Sequence, residues 1–80
     1  MPLKLVFLGR LEDVAGAPDR EVAGADSIEG VLAALEPELA AALREPRIRL
    51  AVNGVLLAGG DAPALSHGDE IAFLPPVSGG

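Results

Sequence analysis

Leu3 to Leu8 is a short apolar run closed by Gly9. Its length and flanks predict a strand with Leu3, Leu5 and Phe7 on one face and Lys4, Val6 and Leu8 on the other. Leu11 to Pro18 contains one helical turn stopped by Gly16 and Pro18, after which Arg20 to Ala23 can return as a second strand. Asp26-Ser27 offers side-chain oxygens to the free N–H groups of a helix start. Ile28, Val31, Leu32 and Leu35 follow at the spacing that aligns one apolar stripe. Pro37 either interrupts this helix or starts a second short one, in which Leu39 and Leu43 share a face, and Pro46 closes the segment.

From Arg47 the period changes to two, because Ile48, Leu50 and Val52 alternate with Arg47, Arg49 and Ala51. This predicts a strand with one buried face. Asn53-Gly54 is the pair best able to adopt the positive φ angles of a two-residue hairpin, so Val55 to Ala58 should fold back antiparallel and Gly59-Gly60-Asp61 should end the return. A Pro63 loop, a Ser66-His67-Gly68-Asp69 turn and a strand from Glu70 to Leu74, with Ile71 and Phe73 facing one way, complete the body. Four or five strands and one principal helix predict an α+β domain over residues 1–74, a mixed sheet packed on that helix. The element order is that of a β-grasp, ubiquitin-like fold, in which the first and last strands lie parallel at the sheet centre.

Composition narrows the chemistry. Eighty residues carry at most one core, and with 2% aromatic residues that core rests on Leu, Val, Ile and Ala around Phe7 and Phe73. Twelve acidic residues against six basic ones give a net charge of −6, the wrong sign for nucleic acid or an anionic membrane. The absence of cysteine excludes a disulfide framework, an iron–sulfur cluster, the usual structural zinc site and a thiol nucleophile. His67 alone makes no metal cluster, and no bound cofactor is expected. The amino-terminal apolar run is too short for a signal-peptide core, and no stretch approaches bilayer-spanning length, so the chain is expected in the cytoplasm. Glu36, Glu38 and Glu45 lie around helix ends and should solvate the surface.

Alternation also leaves Leu56, Ala72 and Leu74 pointing away from the helix, as an exposed apolar patch suited to a partner. After Leu74 the chain runs Pro75-Pro76-Val77-Ser78-Gly79-Gly80. Two prolines remove two donors and favour an extended helix, so six residues at about 3.1 Å each could reach roughly 19 Å from the body. Gly79 and Gly80 have the smallest cross-section a polypeptide allows. The reactive group at such a tip is the Gly80 α-carboxylate, which is inert until its oxygen becomes a leaving group. Its chemistry therefore requires activation by another enzyme, as an acyl-adenylate made from ATP.

The stretch Gly68-Asp69-Glu70-Ile71-Ala72-Phe73-Leu74-Pro75-Pro76-Val77-Ser78-Gly79-Gly80 resembles the carboxyl-terminal signature of the small subunits of molybdopterin synthase. Ala51-Val52-Asn53 before the hairpin and Ser27-Ile28 with Val31-Leu32-Ala33-Ala34-Leu35 extend the resemblance along the chain. It implies a sulfur carrier. An E1-like adenylyltransferase would activate Gly80, a sulfur donor would convert it to a thiocarboxylate, and the arm would enter the large catalytic subunit, within a heterotetramer, to sulfurate cyclic pyranopterin monophosphate. ATP would be consumed by the activating partner, and the catalytic side chains would be the large subunit's. By the same resemblance Gly79 gives access, Pro75, Pro76, Val77 and Ser78 form the inserted arm, and Leu56 and Leu74 contact partners. The chain departs from the pattern at Leu8-Gly9-Arg10-Leu11, where Phe-Ala is more usual before the basic residue, which bears on local packing and a contact.

Three other readings share these residues. The sulfur carrier of thiamine thiazole synthesis has the same fold and glycine end, but the Phe-Leu-Pro-Pro-Val-Ser approach argues against it. A ubiquitin-like modifier would lose its activated Gly80 to a lysine of another protein. A plain interaction module would leave the tail incidental. Arg47 and Arg49 could guide an anionic partner or form an ordinary charged strand face.

Overall fold

The computed structural model describes residues 2–58 and 63–76. Its elements run β1 (Leu3–Phe7), α1 (Leu11–Ala15), β2 (Asp19–Val22), α2 (Ile28–Ala33), α3 (Pro37–Leu43), β3 (Arg49–Val52), β4 (Val55–Leu56) and β5 (Glu70–Leu74). The five strands form one mixed sheet in the order β2-β1-β5-β3-β4. β1 and β5 are parallel and the other pairs antiparallel, which is the arrangement that likeness to the β-grasp fold implied.

The parallel pair carries the core. Its register sets Leu5 beside Ile71 and Phe7 beside Phe73. Leu3, Leu5, Ile71 and Phe73 have no exposed surface, and the Phe7 and Phe73 rings stack at 5.7 Å. These two strands are buried inward because alternate positions are large and apolar, and a slip of one residue would turn that set to solvent. Val31, Leu32, Leu35, Leu39 and Leu43 close the core from the helical side.

That helical layer is divided, where the apolar stripe predicted one main helix. The Ser27 Oγ accepts the Gly30 N–H at 3.0 Å and starts α2. Pro37 occupies the first turn of α3, and Glu36 before it is extended at φ −56°, ψ 141°. Proline disfavours a helical predecessor, so the stripe through Leu35 continues in space while the backbone breaks. Of the two options left open at Pro37, the second helix forms. Arg20 then ties the edge strand β2 to this break. Its guanidinium donates twice to the Glu36 carboxylate, at 2.6 and 2.9 Å. This bond raises the Arg20 pKa and lowers that of Glu36. Both groups are exposed, so the pair locates the junction more than it stabilises it. Arg44 pairs with Glu29 between α3 and α2.

β1 ends one residue early at Phe7, β2 is shifted by one residue to Asp19–Val22, and β3 and β4 are shorter than expected. β3 starts at Arg49 because the Ile48 N–H is held in a turn by the Glu45 carbonyl at 3.0 Å. β4 has two residues, although the Leu57 N–H still reaches the Leu50 carbonyl at 2.8 Å. The proposed end of the return at Gly59-Gly60-Asp61 lies outside the described residues. The hairpin itself has Asn53 at φ 51° and Gly54 at φ 83°, the two positive angles the Asn-Gly pair predicts.

Asn53 also fastens this turn to the one before β5. Its amide donates to Asp69 Oδ1 at 3.0 Å, and its Oδ1 accepts the Glu70 N–H at 3.0 Å. The Ser66 N–H donates to Asp69 Oδ2 at 2.8 Å. The Ser66 N–H, and then Asn53, hold the Asp69 carboxyl below its usual range. A depressed folded pKa gives stability that is complete above the unfolded carboxylate value and is lost as pH falls through the folded one. Asp69→Asn should therefore lower the urea midpoint near pH 7, and the gap to wild type should close on acidification below about pH 4. A gap independent of pH would exclude the carboxylate as its source.

Candidate functional site

β5 runs through the sheet centre and delivers the chain at Leu74 to Pro75 and Pro76, at the middle of the sheet's edge. On the face turned away from the helices, the register aligns Val6, Ala72, Ala51 and Leu56 in a row across four strands. Two alanines at the centre keep this row shallow, and Leu56 at its end is 53% exposed. One step along, Arg49 lies opposite Leu74.

Pro46, Arg47, Arg49, Leu56, Leu74, Pro75 and Pro76 line an open groove of about 540 Å³. The structure thus brings four of the sequence-derived site residues, Leu56, Leu74, Pro75 and Pro76, onto one surface. Val77, Ser78, Gly79 and Gly80 lie outside the described residues. Ala51 and Pro46 were not in the predicted patch. A two-residue turn at Asn53-Gly54 forces Ala51 opposite Leu56, so that neighbour could have been counted from the hairpin alone. Pro46 belongs to the turn after α3, whose position depends on tertiary packing.

The groove's lining is apolar at Pro46, Leu56, Leu74, Pro75 and Pro76 and carries two arginines. Arg47 Nε donates to Glu45 Oε1 at 3.1 Å, and the Arg47 N–H reaches the same oxygen at 3.2 Å. These bonds hold the Glu45 carboxyl below its ordinary range. Arg49 is exposed in the same groove. On a chain of net charge −6, Arg49 beside an apolar groove, with Arg47 offset by Glu45, makes a local exception that an acidic partner surface would match. Glu36 and Glu45, expected only to solvate helix ends, each hold an arginine. His67 sits exposed in the turn before β5, away from the groove.

At the root of the arm the Leu8 N–H donates to the Phe73 carbonyl at 3.1 Å, carrying the β1–β5 pairing one residue past β1. Among the described residues no three His, Cys, Asp or Glu side chains are grouped to hold a metal ion. No described helix is long and apolar enough to cross a membrane.

Known proteins share this architecture. The profile of the ThiS family matches residues 5–80. The molybdopterin synthase sulfur carrier subunit of Escherichia coli (strain K12) is 34% identical over 82 residues, covering 98% of this chain and 99% of that one. Small archaeal modifier protein 1 of Methanosarcina acetivorans has a solution structure that superposes with a TM-score of 0.80 at 28% identity, over 99% of this chain and 96% of that one. A chain from the protein–protein complex of subunits 1 and 2 of molybdopterin-converting factor from Helicobacter pylori 26695 superposes with a TM-score of 0.69 at 26% identity, over 100% of both. A profile that begins inside β1 and spans every later strand, together with a relative similar from end to end, makes this β-grasp chain a member of the ThiS family.

Proposed function

We propose that this chain is the sulfur carrier subunit of a molybdopterin synthase. In this reading a Gly80 carboxylate oxygen attacks the α-phosphorus of ATP on an E1-like partner, and pyrophosphate leaves. Sulfur at the sulfide level from a donor then displaces AMP and leaves a thiocarboxylate. Inside the large subunit the thiocarboxylate sulfur bonds to cyclic pyranopterin monophosphate, and water cleaves the acyl carbon–sulfur bond, so the sulfur stays on the pterin and Gly80 returns to a carboxylate. Sulfur suits this step because it is polarizable and carries charge at neutral pH, the logic that favours thiolate over thiol.

The observation that carries the proposal is the continuity of the groove with the start of the arm. Leu56 and Leu74 line it, and Pro75 and Pro76 extend it toward the carboxyl end. A partner seated in that groove meets the arm at its root. The subunit complex among the structural neighbours, and the sulfur carrier named among the relatives, support a large-subunit partner for it.

Reconstitution with the large subunit, the activating enzyme, ATP, a sulfide source and the pterin precursor tests the reading. Leu56→Asp should weaken large-subunit binding by about 10- to 100-fold, because a charge is then desolvated at the centre of an apolar contact. Its melting temperature should stay near wild type, since Leu56 is half exposed on a two-residue strand. Unchanged binding would show that the groove is not the docking face.

The similarity to a small archaeal modifier protein favours one second reading, in which a lysine of another protein captures the activated Gly80. Isopeptide adducts that accumulate in the presence of pterin precursor would support it over the carrier.

A further inference from the structure

Gly9 sits where the chain leaves β1, at the point of departure from the family pattern, and its φ is +55°. A Cβ built on it would lie 2.9 Å from Pro75 Cγ and 3.7 Å from Pro75 Cδ. The first distance is shorter than real Cβ contacts, so the Pro75 ring occupies the volume that any side chain at position 9 would fill.

The backbone of Gly9 is held on both sides. The Leu8 N–H is bonded to the Phe73 carbonyl at 3.1 Å, which fixes the turn to β5. The Gly9 carbonyl accepts the Glu12 N–H at 3.2 Å, which fixes it to the start of α1. A group added at Gly9 therefore presses on the ring of Pro75, and a proline ring is fused to its own backbone. A displacement beyond what a change of ring pucker absorbs turns the chain at the root of the arm.

We propose that Gly9 is a positioning residue: its bare α-carbon is the seat of Pro75, and this seat sets the direction in which the arm leaves the sheet. The proposal rests on the sulfur-carrier reading, and extends it from the arm's tip to its base. A displacement of about 0.5 Å over one residue of about 3.1 Å turns the chain at Pro76 by roughly 10°. A partner that needs the carboxylate at one place must bend the arm back, and misplacement by about 1 Å can cost about 100-fold in rate.

Gly16 supplies the control. It also has a positive φ, +81°, but nothing lies within 4 Å of a Cβ placed there. Gly9→Ala and Gly16→Ala thus share the cost of a left-handed alanine, and only the first meets Pro75. The test measures both variants, in the full chain, for activation by the E1-like enzyme with ATP and for turnover with the large subunit. Both should melt lower, Gly9→Ala by the larger amount because it adds the contact with Pro75 to the shared backbone cost. Gly9→Ala alone should lose about tenfold in kcat/KM. In a Pro75→Ala background, where the ring is gone, Gly9→Ala should cost less than about twofold, the non-additivity expected of groups in contact.

A second readout does not depend on turnover. The wild-type chain should show nuclear Overhauser contacts between Gly9 Hα and the Pro75 ring protons, and Gly9→Ala, but not Gly16→Ala, should shift the resonances of Pro76 and Val77. Equal losses from Gly9→Ala and Gly16→Ala, or a Gly9→Ala loss that persists unchanged without the Pro75 ring, would overturn the proposal while wild-type turnover upholds the carrier reading. Absence of turnover by the wild-type chain would overturn the carrier reading and with it the role of Gly9, leaving the contact itself to the resonance data.

Discussion

One alanine appended after Gly80 should reduce thiocarboxylate formation and pterin sulfuration to the background of the uncharged protein, with the melting temperature unchanged. An added residue moves the terminal carboxylate outward by about 3.3–3.6 Å. Adenylation needs that oxygen in line with the α-phosphorus of ATP, and bimolecular chemistry held in place loses its advantage when the reacting atoms part by a fraction of this distance. The new terminus also has a Cβ where the reading requires the thinnest possible chain. Stability should not follow, because the buried core described above is built from residues between Leu3 and Phe73. Intact mass must accompany the assay, so that clipping back to Gly80 is seen. An extended chain that is charged and turned over at the wild-type rate without clipping would remove the tip from the mechanism.

The second large effect concerns the strand that aims the arm. Phe73→Ala should destabilise the domain by about 3–5 kcal/mol, the usual range for removing a buried phenylalanine. Phe73 has no exposed surface, lies on the central strand and stacks on Phe7 at 5.7 Å, so its loss leaves a cavity that neither neighbour can fill without leaving its own register. A domain of this size has roughly 4–12 kcal/mol to lose. Each kcal/mol corresponds to about 4–8 °C, which lowers the melting temperature by at least about 12 °C. The chain has no tryptophan or tyrosine, so far-ultraviolet circular dichroism is the suitable probe. Phe73→Leu keeps most of the volume and should retain most of the stability. A loss under about 1 kcal/mol for the alanine variant would show that the Phe7–Phe73 layer is not central to the core.

Particular residues show why some of this fold could be read in advance. Leu3, Leu5 and Phe7, like Ile71 and Phe73, sit on strands whose burial alternates without a break, and their sharing of one face follows from the strand period. Asn53-Gly54 has a nearly unique local solution, and from it the pairing of Ala51 with Leu56 is a matter of counting. The helical layer was only half legible. The stripe from Ile28 to Leu35 marks a buried face whether or not the backbone stays continuous, and proline at position 37 decides between two outcomes that share the same face.

The candidate site divides in the same way. Leu56 and Leu74 were accessible to reasoning because outward positions on paired strands can be counted, and the groove they share is where the count placed them. Arg20 with Glu36, and Gly9 with Pro75, were not accessible. Each pair is far apart in sequence and meets because of how the elements pack, which residue identity and local spacing do not encode. The glycines of the tip were singled out by chemistry rather than by any pattern of burial.

Mass spectrometry of the intact wild-type chain, after incubation with ATP, a matching activating enzyme and a sulfide source, reads the central claim most directly. The account predicts an ATP-dependent gain equal to the exchange of one oxygen for one sulfur, mapped by fragmentation to Gly80 and lost when the pterin precursor and the large subunit are added. No gain under conditions in which the activating enzyme charges its own known carrier, or a gain mapped to any other residue, would contradict it.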